Sequence, residues 1–275
     1  MLSLFKSKPK LAELIPSGYV DIHSHVLPGI DDGAQKIKDA EFLLESMIDF
    51  GFSKVITTPH TMKNVWDNTT ETIKNAHHLV QDELPELSKK AALNCASEYF
   101  LDENLMQLAQ QEKLLTLKDN FILIEMSYLN APIQLYDFLF ELQLKGYQLV
   151  LAHPERYNYF HSNKKEFAKL KKAGCLFQLN LLATVGYYGK NVAETADYLL
   201  KENLYDFVGS DIHHKNHIKA FQSKIVVNNG EKITEVMKKN SFFFFLIQSR
   251  MNRMIAFKLR HYSLHFFNDF NFLHS

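Results

Sequence analysis

The chain has 275 residues, 46% of them hydrophobic and including 22 Phe and 12 Tyr, which suits one large domain with a sizeable core and excludes general disorder. Its 31 basic and 31 acidic residues balance, so no global basic field invites nucleic acid. Two cysteines, Cys95 and Cys175, are too few for a disulfide framework and are expected as buried free thiols. Neither has Arg six positions on, where Leu101 and Leu181 stand, which argues against a Cys-x5-Arg phosphate loop.

In chain order, residues 1–18 are expected as an N-terminal extension; MLSLFKSKPK has no signal core or cleavage site. The longest apolar run, around Phe242–Ile247, is far too short to span a bilayer, so a cytoplasmic protein is expected. The first predicted strand is Tyr19–His25. Alternation along it would set Asp21, His23 and His25 on one face, which suits a metal floor better than a core. Asp31-Asp32-Gly33 follows in a loop, and one of its carboxylates becomes a candidate ligand beside the two histidines.

A helix over 36–50, Gly51 and a strand Lys54–Thr58 come next, and Pro59 stops that strand and turns His60 out at its end. Glu98 ends the strand predicted over Ala91–Tyr99. Glu125 sits within the apolar strand Phe121–Met126, where an unpaired carboxylate would be costly. A helix over 132–145 leads through Gly146 to Tyr147–His153, closed by His153-Pro154-Glu155-Arg156. Arg156 offers a planar donor fork suited to phosphate. A helix over 163–173, Gly174 and the strand Cys175–Asn180 follow, then the strand Asp206–Asp211 with His213 two residues on. His214, His217 and the tail histidines are expected in solvent. Residues 246–275 form an aromatic, basic tail.

Seven strands with helical crossovers predict an α/β fold, a distorted seven-stranded barrel with its site at the carboxyl ends of the strands; an open doubly wound sheet is the alternative. Five His, two Glu and at least two Asp gather at those ends, too many for one ion, which implies two or three divalent ions. Imidazole with carboxylate suits manganese, iron or zinc, and the lack of Cys ligands argues against a structural zinc cage.

This set resembles the polymerase and histidinol phosphatase (PHP) superfamily. DIHSHVLPGIDDG, SEY, HPERY and GSDIH look much like the bacterial tyrosine-protein phosphatases of capsule and exopolysaccharide clusters, over about 19–240. The resemblance implies three metals, manganese favoured. His23, His25, Glu98 and Asp211 would hold the first; Glu98, Glu125 and His153 the second; Asp32, His60 and His213 the third. Asp21 and Asp31 would stand behind the ligands. It also implies hydrolysis of phosphotyrosine, with Arg156 binding phosphate and His60 or His213 helping the leaving group, on a membrane-bound bacterial tyrosine kinase. Many relatives carry an Arg shortly after the last motif, where Lys219 or His217 stands here. A small-molecule phosphatase of the histidinol-phosphate type, or a non-catalytic metal-binding module, is the alternative.

Overall fold

The structure, a computed structural model, describes residues 7–244. The compact unit described here runs to Ser241; of a second unit, 242–275, only Phe242–Phe244 are described, and the tail expected over 246–275 lies outside the described residues. No helix among the described residues is long and apolar enough to cross a membrane.

Among the described residues there are nine strands: β1 (Tyr19–Asp21), β2 (Phe52–Thr57), β3 (His60–Thr61), β4 (Asn94–Cys95), β5 (Glu98–Phe100), β6 (Phe121–Glu125), β7 (Gln148–Ala152), β8 (Leu176–Asn180) and β9 (Phe207–Gly209). The helices are α1 (Ile37–Asp49), α2 (Thr70–Glu83), α3 (Pro85–Lys90), α4 (Glu103–Gln111), α5 (Leu135–Leu144), α6 (Lys165–Lys172), α7 (Lys190–Lys201), α8 (Lys215–Ala220) and α9 (Glu231–Lys239). Every strand pair is parallel, in two sheets ordered β1-β2-β4 and β3-β5-β6-β7-β8-β9. The chain is therefore α/β with parallel sheets and helical crossovers, as the helix–Gly–strand grammar predicts.

The strand predicted over Ala91–Tyr99 is broken in two, the one predicted over Lys54–Thr58 is followed past Pro59 by a further short strand, and the two interruptions face each other. Pro59 has no N–H to give the ladder, so β2 ends and β3 resumes one residue later. Opposite it, Ala96 and Ser97 separate β4 from β5, and the Ser97 hydroxyl donates to the Pro59 carbonyl at 3.0 Å. The first predicted strand also stops early, at Asp21. Beyond it a single parallel bridge joins Ser24 to Ile212, with His25 N donating to Ile212 O at 2.8 Å and Asp211 N to His23 O at 2.7 Å. The first segment thereby touches β2 on one side and the continuation of β9 on the other.

Alternation sorts the strand residues into two buried faces. Ile122, Ile124, Leu149, Leu151, Phe177 and Leu179 join the apolar core. Leu123, Val150 and Gln178 are equally buried on the opposite face, which leads to Glu125 and Asn180 at the carboxyl ends. Cys175 is buried and Cys95 only partly so, and both are free; burial pushes the Cys95 thiol up to about 11 and Cys175 to about 12.

Candidate metal centre

Segments following β1, β7 and β9, with the first residue of β3 and the last of β6, bring the predicted ligands together around Glu98, which opens β5 where it was expected to end a strand. Glu98 is completely buried at the middle. Its Oε2 lies 3.0 Å from His23 Nε2, 3.3 Å from His60 Nδ1 and 3.4 Å from His25 Nε2, while its Oε1 lies 3.1 Å from His153 Nε2. Asp211 Oδ1 lies 3.2 Å from His23 Nε2 and 3.6 Å from His25 Nε2. Glu125 Oε1 approaches His60 Nδ1 to 2.8 Å, and Asp32 Oδ1 lies 3.6 Å from His60 Nε2 and 3.4 Å from His213 Nε2.

Three imidazoles are aimed by what stands behind them. His23 Nδ1–H donates to Gln178 Oε1 at 2.8 Å, His25 Nδ1–H to Asp31 Oδ2 at 2.7 Å, and His213 Nδ1–H to the Asp211 carbonyl at 2.9 Å. With Nδ1 donating, each turns Nε2 toward the carboxylates, where a proton or a metal ion would sit between them. Asp31 is itself fixed by the amides of Gly33 and His60. Asp21 accepts from the amide and hydroxyl of Ser210, the residue before Asp211. Both aspartates thus support neighbours. Burial pushes Asp21 up to about 7.

The backbone makes room at two glycines. A Cβ on Gly33 would lie 2.1 Å from the His25 carbonyl oxygen, and one on Gly209 would lie 2.5 Å from His23 Cβ. His153 and Asp211 adopt left-handed backbone, φ 34° and 51°, where each chain leaves its strand. That strain is sustained by the packed surroundings and turns the side chains into the site.

The electrostatics call for cations. Burial disfavours a charged imidazole, yet Glu98 and Asp211 outweigh it at His23, whose pKa stands well above the usual histidine value. His60 is likewise raised, to about 10, by Glu98 and Glu125 against the effect of burial. Glu98 and Asp211 are held well below the carboxylate range because the neighbouring histidines override their burial. Either imidazolium protons or divalent cations can neutralise such a group. Three buried nitrogens, His25 Nε2, His60 Nδ1 and His153 Nδ1, make no well-aligned hydrogen bond, although Glu98 lies 3.4 Å from the first and Glu125 2.8 Å from the second. Four groupings present ligand atoms close enough to share an ion: His25, Asp32, His60 and His213; His23, Glu98 and His153; His23, His25 and Asp211; His60, Glu98 and Glu125. The donor set fits divalent metal. The groupings overlap and join Glu125 to His60, whereas the resemblance groups Glu125 with His153.

The cluster floors a cavity of about 590 Å³ lined also by Trp66, Phe100, Tyr128, Arg156 and Tyr188. The Arg156 guanidinium is sandwiched between the rings of Tyr128 (4.6 Å) and Tyr188 (4.2 Å), and its Nη1 donates to Asp211 Oδ2 at 2.9 Å. Asn180 donates to the same oxygen at 2.6 Å. Lys219 is exposed and does not line this cavity. His217, expected in solvent, is instead buried: its Nδ1 accepts from the His213 amide at 3.1 Å, and burial pushes its pKa down to about 3. The turn into α8 folds it back under Asp211, which its spacing from the motif did not reveal. His214 is exposed as expected.

Sequence reasoning also missed Gln178, Asn180, Tyr128 and Tyr188. For Gln178 and Asn180 a signal existed, since two amides at alternate positions of the buried strand Leu176–Asn180 share one face.

The family described as capsular polysaccharide synthesis, CpsB/CapC, matches residues 19–240. The chain belongs to this family. Among CpsB/CapC relatives, the tyrosine-protein phosphatase YwqE of Bacillus subtilis is 30% identical over 196 residues, covering 71% of this chain and 77% of YwqE. The tyrosine-protein phosphatase CpsB of Streptococcus pneumoniae is 26% identical over 201 residues, 71% of this chain and 83% of CpsB. A solved structure from work on YwqE and CpsB, described as unique metal-dependent tyrosine phosphatases, superposes with a TM-score of 0.69 at 28% identity, covering 80% of this chain and 86% of that one.

Proposed function

We propose that this chain is a metal-dependent protein-tyrosine phosphatase. The observation that carries the reading is buried Glu98 set among His23, His25, His60 and His153, beside a cavity that Arg156 lines. Three divalent ions would be held, manganese favoured over iron or zinc: by His23, His25, Glu98 and Asp211; by Glu98, Glu125 and His153; and by Asp32, His60 and His213. When bound, such ions supply Lewis acidity and an activated water at neutral pH.

The chain's own residues do the rest. Arg156, packed against two tyrosine rings and tied through Nη1 to Asp211, would offer its remaining N–H groups to the equatorial phosphate oxygens and stabilise their developing charge. Protonation of the departing phenolate oxygen would fall to His60 or His213, partly exposed at the rim, whichever is not engaged by an ion. A phenol, with a pKa of about 10, needs little such help. Asp21 and Asp31 keep Asp211 and His25 in place.

The architecture is a distorted seven-stranded barrel in this reading, supported by the parallel Ser24–Ile212 bridge between the first and last segments. Residues 1–18 would be an extension, 19–245 the catalytic domain and 246–275 a separate tail. The substrate would be a phosphorylated membrane-bound tyrosine kinase of polysaccharide export, met in the cytoplasm. Turnover of a phosphotyrosine peptide against histidinol phosphate, with manganese added, tests the function. Preference for the peptide is expected; strong turnover of histidinol phosphate alone would overturn it.

A further inference from the structure

Six of the thirteen large apolar side chains exposed among the described residues fall between positions 128 and 144. Leu129 is 88% exposed, Ile133 98%, Phe140 60% and Leu144 70%. Ile133, Tyr136, Phe140 and Leu144 recur at helical spacing in and just before α5, whose opposite side buries Leu135, Phe138, Leu139 and Leu142. A contiguous apolar stripe of this size on a soluble protein marks an interaction surface.

The stripe starts inside the site. Tyr128 and Leu129 line the catalytic cavity. A second cavity of about 250 Å³ shares Phe100 and Ser127 with it and is walled by Leu101, Pro132 and Phe138. Asp102 and Glu103 line that second cavity, which no Lys or Arg lines, and Asp137 and Glu141 stand exposed on α5. Next to the cavity the surface is thus apolar and edged with carboxylates; farther out Lys145 stands exposed beyond Leu144, and Lys169 pairs with the Glu166 that Tyr136 touches.

We infer that this stripe and its adjoining groove seat the phosphorylated protein itself, through apolar and basic side chains flanking its phosphotyrosine. The inference rests on the phosphotyrosine reading above. Continuity with the catalytic cavity selects the substrate as occupant, and the carboxylates select its basic character.

The test uses the full chain and three substrates: p-nitrophenyl phosphate, and two phosphotyrosine peptides differing only in Leu and Lys or Gly and Ser flanks. The wild type is expected to favour the Leu/Lys peptide in KM. Ile133→Ser with Phe140→Ser, both at exposed positions, should raise that KM about tenfold, equivalent to about 1.4 kcal/mol. The other two substrates should stay within roughly twofold. Equal KM for both peptides in the wild type, or no change in the variant, overturns the inference. A dimer that the variant dissolves while peptide KM stays fixed assigns the face to a second copy and overturns it too. Failure of the metal-loaded wild type on all three substrates overturns the phosphatase reading, and this inference with it.

Discussion

His23, His60 and His77 are all largely buried, yet they end in opposite states; His153, although it faces Glu98, follows His77, because the Arg156 cation adds to the effect of burial. His77 hydrogen-bonds the Leu93 carbonyl at 3.2 Å through Nε2, beside the ring of His78, and burial lowers its pKa. At His23 and His60 burial acts the same way, but facing carboxylates outweigh it and raise their pKa. A buried imidazole is therefore not a ligand by default; what it faces decides. Carboxylates show the same contrast. Glu98 among four histidines is held well below its usual range, whereas burial pushes Glu155, which accepts from amides and the Tyr205 hydroxyl and faces no histidine at such range, up to about 7.

The contrast is broken most severely at its centre. Glu98→Gln keeps the shape but removes the charge shared by four imidazoles. Peptide turnover should fall by roughly two to three orders of magnitude, and elemental analysis should show lost metal. Retention of both would separate Glu98 from the site. Asp31→Asn leaves every proposed ligand in place but weakens the hold on His25 Nδ1–H. Metal affinity measured by competition with a chelator should drop roughly 10- to 100-fold.

The smallest effect lies at His77. Its folded pKa is below the unfolded value of about 6.5, so the unfolded chain takes up protons first and stability is lost as pH falls below that value. In His77→Gln, urea unfolding should show a shallower decline of stability between roughly pH 6.5 and 5, by less than about 1 kcal/mol. An unchanged slope would mean that burial at His77 does not set its charge.

Much of the site was legible because chemistry-bearing residues stand where a strand should be apolar. Glu125 after Phe121–Ile124 and His153 after Leu149–Ala152 signal themselves against their neighbours. The parallel sheet was legible in the helix–Gly–strand units. The division into two sheets was not, because it depends on two breaks, at Pro59 and at Ala96–Ser97, falling opposite each other across strands distant in sequence. The Arg156 sandwich stayed hidden for the same reason: Tyr128 and Tyr188 lie 60 positions apart and meet only through the fold. His217 was misjudged because exposure is decided by how the turn into α8 packs, not by composition.

The central claim is that this buried carboxylate–imidazole cluster is a metal centre that hydrolyses phosphotyrosine. Titrating manganese into metal-stripped protein, while following bound metal and phosphate release from a phosphotyrosine peptide, tests it most directly. The account predicts that release rises with occupancy and saturates with it. Full occupancy without phosphate release would contradict it.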